Sequence, residues 1–387
     1  MKATHRQEAK GGGAHEESWL KRLDWSVVGL VLAVKAVLLV YAAHAFHLLA
    51  NFRIQTFYGW LEIWNRWDTP HYLDIARDGY LTTGDQRLWI VFYPLYPWLV
   101  RVFSWLTAGD YLVAALLVSG VSSVAAALLL QRLALFDETE GVARRAVWFM
   151  LIFPTSYFLH IGYTESLFLA LCLGSFVAAR KERWLAAGLL GALAGLARVN
   201  GLLLIPALAA EAFMQWRSND RRFNPQWLWI GLTSLGLACY LLLNKYVTGD
   251  AFAFQKILRE HWHKKLSWPW LGIRGVAGGI WRPDAAEAQM VGVQELIFIA
   301  LGFVAIVWCW RELRPSYAIW ATLNWLLLTS TSFVLSSPRY VFTMFPIYFL
   351  FARLASARPV WGGVITVWSL LYLALFVGQF VQGRWAF

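Results

Sequence analysis

Runs of apolar residues, many long enough to cross a bilayer, recur along nearly the whole chain, and only a lipid-embedded fold accommodates so many of them. Read against turn and charge punctuation, they lie near residues 25 to 46, 110 to 131, 145 to 161, 163 to 179, 184 to 198 and 201 to 216. The series continues near 226 to 247, 291 to 311, 316 to 335, 340 to 354 and 359 to 381. The expected architecture is an all-α integral membrane protein with about eleven transmembrane helices. Hydrophobic residues make up 59% of the 387 positions and charged residues 15%, too apolar a balance for a water-soluble domain of this size. The net charge of +11 is scattered between apolar runs and not gathered on one soluble face, so it reads as membrane topology and not as nucleic-acid binding. Cys172, Cys239 and Cys309 sit inside apolar stretches without CxxC spacing, which implies neither a disulfide framework nor zinc.

Orientation follows from the short loops. Arg132, Arg144 and Arg145, then Arg180, Lys181 and Arg183, then Arg217, Arg221 and Arg222, then Arg311 and Arg314, then Arg353 and Arg358 occupy alternate connections, which are expected to be cytoplasmic. The intervening short connections hold only Arg198 and Arg339. The N-terminus is therefore expected inside and the C-terminus outside. Residues 1–24, with Gly11, Gly12 and Gly13 among charges, read as a disordered cytoplasmic tail. No small-residue cleavage site follows the first apolar run, so that span is expected to be retained. Residues 25–387 form one expected transmembrane domain, with outward loops at 47–109 and 248–290, both dense in Trp and Tyr. Within the first loop, Phe52 to Trp64 and Tyr93 to Leu106 are expected to form helices lying along the interface.

Between those two segments lies NRWDTPHYLDIARDGY. Thr69 and Pro70 after Asp68 suit a helix start, which places the Asp68 carboxylate at or near a helix N-terminus. Asp68 and Tyr72 recur at i and i+4 with His71 beside them, an acid and a proton-capable neighbour on one face. A capping Asp among interfacial aromatics accounts for the same spacing equally well. Tyr163, Thr164 and Glu165 mark a second outward turn, beside His160 and FPTSYF; Glu165 is either functional or a charge stabilising a helix start. Arg198 and the pair Arg339 and Tyr340 lie at further outward turns, and each arginine needs an anionic partner, Glu165 or a substrate phosphate. Lys35, inside the first span, is expected to snorkel or to hydrogen-bond internally. The second long loop carries Lys256, Arg259, His261, His263, Lys264 and Lys265, either a solvated basic loop or a cationic lip for lipid phosphates. His261 and His263 are too isolated from acidic partners to justify a metal, so none is expected.

The segments RWDTPHYLDIARDGY, FYPLYPWLVR, FPTSYFLHIGYTESLF, GLARVNGLLLIP, SSPRYVFTMFPIYF and GRWAF together resemble, in their order, the PIG-V-type mannosyltransferases of the GT-C superfamily. The resemblance implies a GT-C-like core with interfacial helices in the first outward loop and a polyprenyl-phosphate sugar as donor. It also implies an inverting transfer with Asp68 as the catalytic acid-base residue. Arg339 and Arg198 are then the groups facing the leaving lipid phosphate, and His71, Tyr72, Tyr163, Glu165 and Tyr340 position substrate. The acceptor is expected to be a lipid-linked or cell-envelope glycan at the extracytoplasmic face, with no cofactor. The compact loops suggest a bacterial plasma membrane. The competing readings are a polyprenyl-lipid flippase and a non-catalytic membrane subunit.

Overall fold

A computed structural model describes residues 24–387, so the expected tail lies outside the described residues except for Asp24. Among the described residues the chain is helical, and its one β feature is an isolated antiparallel bridge between Leu266 and Thr331. Helix α1 (Trp25–Ala50) is followed by the short α2 (Phe57–Glu62), α3 (Asp68–Asp78) and α4 (Leu95–Ser104) of the first long loop. Next come α5 (Tyr111–Ala134), α6 (Glu140–Ile152), α7 (Glu165–Arg180), α8 (Trp184–Ala197), α9 (Leu204–Ser218) and α10 (Ser234–Thr248). The second long loop holds α11 (Ala253–His261) and α12 (Pro269–Gly279). Helices α13 (Ala285–Glu312), α14 (Pro315–Thr329), α15 (Ser337–Phe342), α16 (Pro346–Ala357) and α17 (Pro359–Val381) complete the chain.

Local chemistry explains many of these boundaries. Asp24, Asp110 and Thr139 accept hydrogen bonds from Ser26 N, Val113 N and Val142 N and so cap α1, α5 and α6, while prolines open α12, α14, α16 and α17. Six helical stretches are long and apolar enough to cross a membrane: Trp25–Ala50, Tyr111–Ala134, Val199–Ser218, Pro225–Thr248, Ala285–Glu312 and Pro359–Val381. The segment expected as a span over 145 to 161 stops being α-helical at Ile152. Pro154 disfavours helical geometry at Phe153, whose ψ is 145°, and the chain then crosses to Glu165 as buried turns. Such backbone is tolerable at membrane depth because protein covers it. The helix expected over 340 to 354 is likewise broken, with α15 ending at Phe342 and α16 starting at Pro346, which has no N–H to donate backwards.

Helix α7 forms the centre of the bundle. Every residue from Glu165 to Ala179 is buried, as expected of a helix apolar on all sides. Its two ends carry the ionic chemistry. At Arg180 the guanidinium donates to Asp137 and Tyr317, while Arg314 and Ser316 donate to the buried Glu211 at 2.8 Å each. Arg353 donates to Glu138 at 2.6 Å nearby. The arginines Arg180, Arg314 and Arg353, read from sequence as topological markers, therefore also clamp this end of the bundle. Lys35 donates to Leu116 O at 3.1 Å, the internal hydrogen bond expected for it.

Small residues let α8 approach the Pro225–Thr248 stretch closely. A Cβ on Gly188 would lie 2.0 Å from Trp229 O, and one on Gly236 would lie 2.1 Å from Ala192 O. Gly188→Ala is therefore expected to lower the thermal unfolding midpoint of the detergent-solubilised protein, at an overpacking cost of about 1–3 kcal/mol. Gly231→Ala, whose added Cβ meets nothing within 4 Å, is expected to leave the midpoint in place; equal shifts for the two variants would contradict this packing.

Candidate active site

Four charged side chains from four distant parts of the sequence meet at the Glu165 end of α7. Glu165 is wholly buried, and its Oε1 accepts from Arg198, which also donates to Thr164 Oγ1 at 3.1 Å. The same oxygen accepts from Arg339 Nε at 2.5 Å, and Arg339 Nη1 donates to Asp68 Oδ2 at 2.9 Å. The result is a continuous chain, Asp68–Arg339–Glu165–Arg198. The Asp68 side chain, 30% exposed, is its open end, and among the described residues no hydrogen bond reaches its Oδ1. Two carboxylates and two guanidiniums balance in charge.

Aromatic rings wall this chain. The Arg339 guanidinium lies 4.9 Å from the Tyr163 ring centroid and 5.3 Å from that of Phe158, and Arg198 lies 5.3 Å from that of Tyr340. The Tyr163 hydroxyl accepts from Asp68 N at 3.1 Å and donates to Arg66 O at 3.3 Å, so it fixes the backbone entering α3. Gly162 is required at this contact, because a Cβ there would lie 2.7 Å from Thr69 Cγ2.

Asp68 is the first helical residue of α3, and Trp67 takes the capping position, with φ 55° and ψ −109° and no side-chain capping bond. Backbone this unfavourable for a non-glycine residue costs on the order of 1–3 kcal/mol and must be held by its surroundings. The Trp67 ring packs edge-on against Trp385, 5.3 Å away, and Tyr157 anchors the same C-terminal segment by donating to Ala386 O. Ser336, with φ 71°, makes the corresponding bend before α15. Its N–H and that of Ser337 each donate at 2.6 Å to the buried carboxylate of Glu295 on α13, which fixes the turn that delivers Arg339.

The candidates named from sequence thus divide. Asp68, Glu165, Arg198 and Arg339 are directly linked, and Tyr163 and Tyr340 pack against them. Tyr72 is buried with its ring 6.3 Å from Tyr163 and 5.3 Å from Tyr96, and His71 lies 4.9 Å from Trp89; neither hydrogen-bonds to Asp68. Burial holds the His71 imidazole below its usual pKa, against the opposing pull of Asp68 and Asp74. Glu295 was missed, although a carboxylate inside an apolar run was signal enough to single it out. Among the described residues no cluster of three or more His, Cys, Asp or Glu side chains is placed to hold a metal.

Glu165→Gln would strand the buried Arg198 guanidinium and leave Arg339 with Asp68 alone. It is expected to destabilise the fold by roughly 3–5 kcal/mol, the cost of breaking a buried ion pair on one side, read as a lowered unfolding midpoint. An unchanged midpoint would contradict the pairing.

The family model described as mannosyltransferase (PIG-V) matches residues 36–317. Over 153 residues the chain is 33% identical to GPI alpha-1,6-mannosyltransferase 2 of Cricetulus griseus, an alignment covering 36% of this chain and 30% of that protein. The protein of the same name from Rattus norvegicus is 33% identical over 151 residues, with the same shares covered. The aligned part thus spans about a third of the length of these curated relatives. Among solved structures, the crystal structure of ArnT from Cupriavidus metallidurans bound to undecaprenyl phosphate superposes with a TM-score of 0.53 at 18% identity, over 91% of this chain and 70% of that one, a likeness of fold. Apolar helices, membrane-protein fold and family match agree on a multi-pass integral membrane protein, and the chain belongs to the mannosyltransferase (PIG-V) family.

Proposed function

We propose that this protein is a membrane-embedded glycosyltransferase that moves a sugar, mannose by family default, from a polyprenyl-phosphate carrier to a hydroxyl of a lipid-linked or cell-envelope acceptor. The observation that carries this reading is the Asp68–Arg339 contact, a half-open carboxylate with one oxygen held by a buried cation and the other free to take a proton. In the proposed step the acceptor oxygen attacks the anomeric carbon from the face opposite the phosphate. The acceptor proton passes to Asp68, the bond from anomeric carbon to phosphate oxygen breaks with its electron pair leaving on the phosphate, and configuration inverts. Arg339, fixed by Glu165, holds the Asp68 carboxylate in place for that proton transfer. Tyr163, Tyr72, Tyr340 and His71 shape the pocket walls. An apolar groove of about 260 Å³ between α1 and α5, bordered by Leu38, Trp64 and Ile161, offers room for part of a lipid chain close to this end of the bundle.

In this reading residues 25–387 form one domain with eleven spans, counting α6, α7, α8, α14 and α16 beside the six longer ones. Helices α2 to α4 lie along the outward interface, and the membrane is the bacterial plasma membrane. A flippase would need polar groups threaded between the two faces. Instead, roughly 22 Å of α7 separates Glu165 from Arg180, and the core between is packed with rings such as Phe168 on Trp320 and Phe176 on Phe345.

Transfer from radiolabelled polyprenyl-phosphate sugars in membranes tests the assignment. Asp68→Asn is expected to lose about 10²- to 10⁴-fold in rate while folding normally; equal product from wild type and variant would sink the base assignment. For orientation, a membrane-impermeant thiol reagent is expected to label a cysteine at the exposed Thr83 from outside and one at the exposed Arg222 only after the membrane is opened. The reverse pattern would place the site on the cytoplasmic face.

A further inference from the structure

The charges of Asp68, Glu165, Arg198 and Arg339 cancel within their own chain of contacts, so these four groups by themselves supply no surplus positive charge for a phosphate. A further cation reaches this site from the second long loop. Lys264 follows the end of α11, where its own N–H donates to Leu258 O at 3.0 Å and His263 turns the chain with φ 53°. The residues around it are tied to the strand-like stretch after α14. Ser332 Oγ donates to His263 O at 2.9 Å, Ser332 N to Lys265 O at 2.8 Å, and Ser267 N to Ser330 O at 3.0 Å. Lys265 N donates to Ser332 Oγ at 3.0 Å. Clamped in this way, the partly buried Lys264 points its ammonium at the Tyr340 ring, 5.9 Å from the centroid, and Arg198 sits 5.3 Å from the same centroid. Among the described residues no carboxylate lies within ion-pair distance of Lys264; the buried Glu295, which accepts from Ser336 N and Ser337 N, feels its charge at longer range.

We propose that Lys264 is the cation that binds the phosphate of the lipid carrier, with Tyr340 as the shared wall between it and Arg198. This rests on the glycosyl-transfer reading and deepens it. As the bond between anomeric carbon and phosphate oxygen breaks, its electron pair turns a singly charged phosphodiester into a phosphate monoester carrying one more negative charge. That added charge falls on a cation that no carboxylate contacts directly, the Glu295 carboxylate acting on it only at longer range. A guanidinium already bonded to Glu165 or Asp68 would have to share or surrender that bond to do the same.

The test is equilibrium binding to the full-length protein in phosphatidylcholine nanodiscs, with undecaprenyl phosphate, undecaprenol and inorganic phosphate as probes. Wild type is expected to bind undecaprenyl phosphate more tightly than the alcohol. Lys264→Gln is expected to weaken the phosphate-bearing lipid about tenfold, or about 1.4 kcal/mol, without changing the affinity for undecaprenol. Lys264→Arg should keep most of the preference, and Lys265→Gln, altering an exposed neighbour, should keep all of it. If Lys264→Gln retains the full preference for the phosphate, the inference is overturned while the glycosyl-transfer reading stands. If wild type shows no preference at all, both fall. If inorganic phosphate binds as tightly as the lipid and with the same dependence on Lys264, the site belongs to free phosphate and the lipid assignment is overturned.

Discussion

The arrangement of this molecule turns on one buried carboxylate. Glu165 has no exposed surface, and it lies at the first residue of the most deeply packed helix in the bundle. A lone carboxylate there would be prohibitively costly to desolvate, and two guanidiniums meeting at its Oε1 make the placement tenable. Arg198 arrives from the turn between α8 and α9, and Arg339 from α15, so a single acceptor oxygen ties together segments separated by 174 positions in sequence. Its location at a helix start adds the favourable end of the α7 dipole. Because Arg339 is held from behind by Glu165, its forward donor is left with one direction in which to act, and Asp68 occupies it.

The surroundings of that contact explain why it is rigid. Both segments that supply it enter through bends that non-glycine residues avoid, at Trp67 before Asp68 and at Ser336 shortly before Arg339. Each bend is held by a specific partner: Trp385 and the Tyr163 hydroxyl at the first, the Glu295 carboxylate at the second. Stored strain of this kind is typical of sites whose geometry must not relax. The chemistry proposed for Asp68 depends on it, since a base that can swing freely loses the advantage of position.

Much of the scaffold is legible in the sequence, because bilayer thickness imposes a length on apolar runs and every run named from sequence contains a helix. The residue types at the site are legible for a related reason. An arginine or glutamate beside an apolar run stands out against its cost, and Glu165, Arg198 and Arg339 do so, while Asp68 is marked by the helix start that follows it. Their pairing is not, since it depends on which helix ends meet in space. The same applies to Glu295, whose partners are two backbone N–H groups some 40 positions away, and to Lys264, whose place is set by hydrogen bonds to a serine in another loop. The periodicity of apolar residues also carries no trace of the break after Ile152, although Pro154 does. His71 shows the opposite error. Helical spacing puts it beside Asp68, and its ring instead packs against those of Trp89 and Phe92.

The most direct test of the account is an experimental structure of the protein in a lipid nanodisc with undecaprenyl phosphate added. The account predicts the phosphate at the Glu165 end of α7, beside Arg339 and Lys264 and facing Asp68, with the Arg339–Glu165 contact intact. A phosphate lodged at the other end, among Asp137, Arg180 and Arg314, or an Arg339 that leaves Glu165 in the bound state, would contradict it.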